Sequence, residues 1–152
     1  MGSFRLTVLV YVDDLIICGN NSLAISSFKN YLGTCFQMKD LGVLKYFLGI
    51  EVVRSPDGIF LYQRKYTLDI LTETGMLESR PSPTPLEQNH GLAKVTGEIL
   101  YNPEKYRRLM GRPIYLSFTR LDLAYSVHIL SQFMHKPLEA HWDAALRVVR
   151  YL

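Results

Sequence analysis

The sequence predicts an α+β fold, a small antiparallel sheet with one packed helix followed by a helical region, on three observations. Two apolar runs, Phe4 to Val12 and Leu15 to Cys18, flank the adjacent acids Asp13-Asp14, the pattern of two strands joined by a tight turn. From about residue 103 onward, apolar residues recur at helical spacing. Between the two regimes stands Ser79-Arg80-Pro81-Ser82-Pro83-Thr84-Pro85, whose prolines lack donors and restrict their neighbours, so it is neither helix nor central strand.

Element by element, the first two runs predict a buried hairpin with its turn at Asp13-Asp14, closed by Gly19-Asn20-Asn21-Ser22. Ser22 or Asn21 can cap a helix carrying Leu23, Ile25, Phe28, Tyr31 and Leu32, with Gly33 as its stop. Phe36-Gln37-Met38 predicts a short strand and Leu44 to Val53 a longer one. Ser55-Pro56-Asp57-Gly58 has turn chemistry and leads into a partner strand, Ile59 to Tyr62. A helix over about Lys65 to Thr74 turns Tyr66, Leu68, Ile70 and Leu71 mostly inward and ends at Gly75. Residues 79–97 form an extended connector along the surface. Three helical patterns follow, near 103–117, 120–134 and 138–151, the last two separated by Pro137.

Composition narrows the classes. A chain of 152 residues with 48% hydrophobic and 20% charged residues can bury a core and is neither disordered nor coiled-coil. No run approaches the roughly 20 apolar residues of a membrane helix, and the short run Leu6 to Val12 lacks an export cleavage site. An intracellular, non-secreted protein is expected, with Cys18 and Cys35 as buried free thiols. Residues 1–100 carry 9 Lys/Arg against 10 Asp/Glu, whereas residues 101–152 carry 8 against 4. That basic C-terminal part suits a polyanionic partner or a solvated helical surface. His90, His128, His135 and His141 have no metal-ligand spacing and are expected at the surface or core edge.

Tyr11-Val12-Asp13-Asp14 carries the most chemistry. Adjacent carboxylates at the edge of a core are costly to keep ionised without compensation, and a hard divalent cation with oxygen ligands supplies it. Two-metal phosphoryl transfer uses such a layout. A solvated turn is the plain alternative.

The surrounding blocks make the pattern specific. Leu9 to Ile17 with Gly19, then Phe36 to Gly42, Tyr46 to Val52, Gln63-Arg64-Lys65-Tyr66, Thr84-Pro85-Leu86, Tyr106 to Gly111, Ile114-Tyr115-Leu116, Ser131 to Met134 and Arg150-Tyr151-Leu152 follow one another in order. From about Leu6 onward the chain resembles the reverse transcriptase of copia-type LTR retrotransposon Pol polyproteins, in which YVDD marks the palm.

The resemblance implies an RNA-directed DNA polymerase by descent. Asp13 becomes a principal ligand of Mg²⁺ or Mn²⁺ (two ions in the family), Asp14 its supporting neighbour, and the pair the catalytic carboxylates. Tyr11 matches the residue beside primer terminus and incoming dNTP. Phe47-Leu48-Gly49-Ile50 resembles the primer grip, where a glycine within a strand permits close approach of nucleic acid. Arg64 and Lys65, at the start of a thumb-like helix, become phosphate contacts, and Lys39 and Lys45 candidate proton donors. The implied divisions are a partial palm at 1–64, a thumb-like helix at 65–78, a proline-rich connector at 79–98 and a thumb/connection region at 99–152. Partners are an RNA or DNA primer–template and dNTP, with no membrane, in cytoplasm or nucleus or as an organelle-encoded copy.

In the family a further palm aspartate, the fingers and the template-binding helix come before this block, and an RNase H domain usually follows it. The chain alone is therefore expected to be inactive unless a separate palm/fingers portion joins it, because losing a metal ligand removes electrostatic stabilisation. Leu121 stands where the family has proline, and Pro113 interrupts a helical pattern that should kink or begin later. Both suggest a degenerate element. A non-catalytic nucleic-acid-binding or assembly module is the alternative, and a relic without activity is a third.

Overall fold

The computed structural model describes residues 3–152 and is mixed α and β. The chain divides into two compact units, residues 1–45 and 46–152.

In the first unit, β1 (Leu6–Tyr11) and β2 (Asp14–Gly19) form a two-stranded antiparallel ribbon in which Tyr11 faces Asp14 and Leu6 faces Gly19. Helix α1 (Ser22–Cys35) packs against β2. Asn21 caps it, its side-chain oxygen accepting from the Ala24 N–H at 3.1 Å. The helix passes the expected stop at Gly33 and ends at Cys35. The segment from Gln37 to Lys45 forms no strand, so the short strand expected at Phe36-Gln37-Met38 is absent. Lys29 tethers this segment through an ion pair with Asp40 at 3.0 Å.

The hairpin is not buried as expected. None of residues 3–45 is fully buried, and Val10 is 65% exposed. A two-stranded ribbon has little area to hide, and α1 covers only part of it. Cys18 and Cys35 are likewise exposed free thiols rather than buried ones.

In the second unit, β3 (Tyr46–Phe47), β4 (Ile50–Ser55) and β5 (Gly58–Tyr62) form a three-stranded antiparallel sheet in sequence order. The single sheet expected to carry both hairpins is thus two sheets, because no strand between residues 20 and 45 links them. The expected strand Leu44 to Val53 is also broken, by a turn at Leu48-Gly49. Pro56 and Asp57 form the β4–β5 turn, where the Ser55 hydroxyl accepts from the Asp57 N–H at 3.2 Å.

Four helices complete this unit: α2 (Arg64–Glu73), α3 (Pro103–Leu116), α4 (Ala124–Ser131) and α5 (Glu139–Tyr151). Gly75, at φ +67°, follows α2 as its stop. Helix α3 starts at Pro103 behind the cap Asn102, whose side chain accepts from the Lys105 N–H at 3.1 Å. It then runs through Pro113 rather than beginning later. Pro113 lies one turn from the C-terminus and its ring is fully buried, so the missing donor weakens only the last turn.

The core belongs to the second unit. Ile70 of α2, Tyr106, Leu109, Met110 and Leu116 of α3, Val127 and Leu130 of α4, and Ala145, Val148 and Val149 of α5 interlock there. Leu86 and Leu92 join them, so the connector expected along the surface inserts two side chains into the core. Its backbone is pinned to α5 by Ser82 N–H donating to the Arg150 carbonyl at 2.9 Å and by the Arg147 guanidinium donating to the Thr84 carbonyl at 3.3 Å. Among the described residues, no helix is long and apolar enough to cross a membrane.

Candidate functional site

The turn of the first hairpin consists of Val12 and Asp13, not Asp13 and Asp14, because Tyr11 and Asp14 already face each other across the ribbon. Asp14 is therefore the first residue of β2 and Asp13 the second residue of the turn. Val12 has φ +48° whereas Asp13 is not in the positive-φ region, the sign pattern of a type II′ turn. Such turns take glycine at the first position. A β-branched residue there is strained by about 1–2 kcal/mol. Val12→Gly is expected to stabilise the ribbon by about 1 kcal/mol, read as slower amide hydrogen exchange across the Tyr11–Asp14 pair.

Tyr11, Asp13 and Asp14 are exposed, with Tyr11 54% accessible. Both carboxylates thus stand at an exposed hairpin tip rather than at the edge of a core as expected. The donor set still suits a hard ion: two adjacent carboxylates offer only oxygen, and Mg²⁺ typically takes one or two carboxylates plus waters or phosphates. Among the described residues, no three His, Cys, Asp or Glu side chains gather into a metal-binding group. Lys39 and Lys45 are exposed in the irregular segment after α1. Beside them, the Gly42 N–H and then Lys29 hold the Asp40 carboxyl below its ordinary range.

The second candidate element is also a turn. Phe47 faces Ile50, and Leu48 and Gly49 between them have φ +49° and +80°, the sign pattern of a type I′ turn. Gly49 is thus a turn glycine rather than the strand glycine expected, and its role is conformational, set by its positive φ rather than by lack of space. A Cβ on it would lie 3.7 Å from the Tyr115 ring and 3.9 Å from that of Tyr66. Tyr115 donates its hydroxyl to the Leu48 carbonyl and meets Tyr66 edge-on at 5.3 Å. Phe47, Leu48, Gly49 and Ile50 are half-buried.

Arg64 and Lys65 are exposed at the start of α2. The Lys65 N–H donates to Glu51 of β4 at 3.0 Å, joining helix start to sheet. Sequence reasoning missed the supporting residues Tyr115 and Gln63. Gln63 is buried, accepting from the Thr119 hydroxyl at 2.8 Å, and only the tertiary contact reveals it. It also placed His141 at the surface or core edge, whereas His141 is 3% exposed and part of the core.

Comparisons with known proteins identify the family. The family model described as reverse transcriptase (RNA-dependent DNA polymerase) matches residues 1–88. The chain is 46% identical over 145 residues to the retrovirus-related Pol polyprotein from transposon RE2 of Arabidopsis thaliana, covering 95% of this chain and 10% of that protein. It is 34% identical over 154 residues to the Pol polyprotein from transposon TNT 1-94 of Nicotiana tabacum, covering 95% of this chain and 12% of that one. An uncharacterized mitochondrial protein of Arabidopsis thaliana is 39% identical over 145 residues, 95% of this chain and 60% of its own length. The chain thus spans about a tenth of the transposon polyproteins it matches. No solved structure matches it. With its family model covering more than half the residues and its relatives aligned over 95% of the chain, the chain belongs to the reverse transcriptase (RNA-dependent DNA polymerase) family and is similar to part of retrotransposon Pol polyproteins.

Proposed function

We propose that this chain is the carboxylate-bearing part of a copia-type RNA-directed DNA polymerase, with Asp13 and Asp14 as the metal-holding and catalytic acids. The carrying observation is the turn itself: a β-branched residue held at φ +48° sets two exposed carboxylates at a hairpin tip, and strain of this kind clusters at functional sites. A bound divalent ion would neutralise charge on the transferred phosphoryl group. The protein's part is to hold oxygen ligands at Asp13 and Asp14 and to offer the Tyr11 ring beside them.

The remaining roles follow the family. Phe47, Leu48, Gly49 and Ile50 present a rigid turn to a primer, Arg64 and Lys65 contact phosphates, and Lys39 or Lys45 donates a proton to departing pyrophosphate. Residues 1–64 are palm-like, 65–78 begin the thumb, 79–98 connect, and 99–152 continue the thumb/connection region. Primer–template and dNTP are the partners, in an intracellular setting. Two carboxylates leave most of an ion's positions to water or further ligands, so this chain alone holds Mg²⁺ or Mn²⁺ weakly and does not extend primers.

Mg²⁺ titration followed by NMR should move the Asp13 and Asp14 resonances, and Asp13→Asn should remove that response while leaving the fold intact. Resonances that stay fixed with and without primer–template would refute the metal role. Primer extension that Asp13→Asn abolishes would refute inactivity.

A further inference from the structure

β5 is an edge strand: β4 pairs with it on one side, and among the described residues no strand lies on the other. Register fixes which of its main-chain groups point outward. Ser55 and Gly58 close the two-residue turn and so form a hydrogen-bonded pair, and such pairs alternate along an antiparallel ladder. Gly58, Phe60 and Tyr62 therefore bond to β4, while the N–H and C=O of Ile59 and Leu61 face away from it. Among the described residues, no backbone group outside the β4 ladder bonds to them. Their side chains are open as well, with Ile59 64%, Phe60 67% and Leu61 49% exposed. Natural edges are usually blunted by a lysine, a proline or a bulge, and the run Gly58-Ile59-Phe60-Leu61-Tyr62 has none of these.

We propose that β5 is a self-pairing edge, to which a second copy of this chain adds its own β5, antiparallel, about a two-fold axis at Phe60. The centre of the strand fixes that axis, since symmetric pairing engages the whole of β5 only about residue 60. Ile59 of each copy then exchanges both main-chain bonds with Leu61 of the other, about four bonds in all. These are the two residues whose polar groups point outward. The side chains suit the same register. Phe60 faces Phe60 of the second copy, Ile59 faces Leu61, and Tyr62 stands across from Gly58, whose bare backbone an aromatic ring covers well. Charge decides between a second copy and an unrelated strand. The two-fold brings Asp57 of each turn to the end of the other β5, where Arg64 begins α2. Asp57 and Arg64 are exposed, and neither has an ion-pair partner among the described residues. An arbitrary apolar peptide would supply the main-chain bonds but not both complementary ends. Pairing turns two three-stranded sheets into one continuous sheet. Asp13 and Asp14 take no part in it, and it needs neither metal nor nucleic acid.

A short strand edge is at the small end of specific interfaces, so a dissociation constant on the order of 10 μM is expected. Sedimentation velocity of the full chain, at concentrations well below and well above that value, should show monomer giving way to dimer. Ile59→Pro deletes an outward donor and leaves the bonds to β4, so it should weaken the dimer about tenfold. Far-UV circular dichroism of that variant should match the parent. Asp57→Lys and Arg64→Glu should each weaken self-association, because each sets like charges together at both ends. Mixed in equal amounts, the two variants should regain dimer, since every end then holds opposite charges again. Loss of folding could not produce that recovery. A chain still monomeric at roughly thirty times the expected constant would overturn the proposal. So would a mixture of the two charge variants that regains nothing. Dimerisation that Ile59→Pro leaves as strong would place the interface on another surface, such as the edge of β1, and would overturn it too. Two-fold pairing uses up both β5 edges, so species that grow beyond the dimer would also count against it.

Discussion

Tyr106→Ala is expected to destabilise the helical unit by about 3–5 kcal/mol, in the range of large aromatic deletions from a packed core. Tyr106 is fully buried on the first turns of α3, and its hydroxyl donates to the Leu130 carbonyl of α4 at 2.8 Å. Removing the ring opens a cavity in the core that α3 shares with α4 and α5, and it also leaves that carbonyl without its donor. Burial pushes the phenol's pKa well up, so the donor stays protonated throughout the accessible range and the contact is insensitive to pH. Tyr106→Phe keeps the ring and loses the hydrogen bond alone, for about 1 kcal/mol. Urea unfolding followed by Trp142 emission separates the two contributions. Equal midpoints for the alanine and phenylalanine variants would show that the ring is not packed as described.

His141→Leu is expected to cost about 2–5 kcal/mol although leucine matches the histidine in bulk and is more apolar. The imidazole is 3% exposed and both its nitrogens are engaged. Nδ1 accepts from the Leu138 N–H at 3.0 Å, closing the start of α5. Nε2 lies 3.2 Å from the Leu92 carbonyl, which assigns it the proton, since a carbonyl can only accept. Leucine would leave a part-buried N–H and a buried carbonyl unpartnered at the junction of the connector and α5. The ring also stacks on Phe133 at 3.8 Å, a contact that aliphatic bulk replaces only in part. The measurement is the denaturant midpoint, together with proteolysis of the connector around Leu92. Cleavage there should speed up if His141 pins it, whereas an unchanged midpoint would reduce the histidine to a space-filling role.

Both residues mark the limit of what spacing reveals. The 3.6-residue period placed helices over α3 and α5 and put apolar faces inward, because a helix packed on one side must bury one stripe. It could not distinguish His141 from a solvent-facing histidine, since its partners lie on Leu138 and, 49 residues away, Leu92. The connector shows the same limit. Its prolines excluded regular structure correctly, but Leu86 and Leu92 enter the core because α5 offers Arg147 and the Arg150 carbonyl to hold the chain down.

The candidate site divides similarly. Tyr11-Val12-Asp13-Asp14 taken alone suits a solvated turn, and it became chemically pointed only through the ordered blocks around it that resemble the reverse transcriptase family. Which residues make the turn depended on strand register, and a shift of one residue moves every side chain to the opposite face. Here pairing of Tyr11 with Asp14 moved the turn to Val12-Asp13. The same holds at Phe47-Leu48-Gly49-Ile50, an apolar run that suits a continuous strand until Phe47 pairs with Ile50.

By itself, the sequence determined the α+β class and the order of nearly all elements, encoded within short windows by periodicity and turn chemistry, while the family and the role of the paired acids came from the resemblance carried by ordered motif blocks along the chain. Tertiary structure alone decided the division into two sheets, the exposure of the first hairpin, the burial of Leu86, Leu92 and His141, and the open outer edge of β5. These depend on which surfaces meet across distant stretches of chain, and the free energy of such contacts comes from area and polar partners that no local pattern contains.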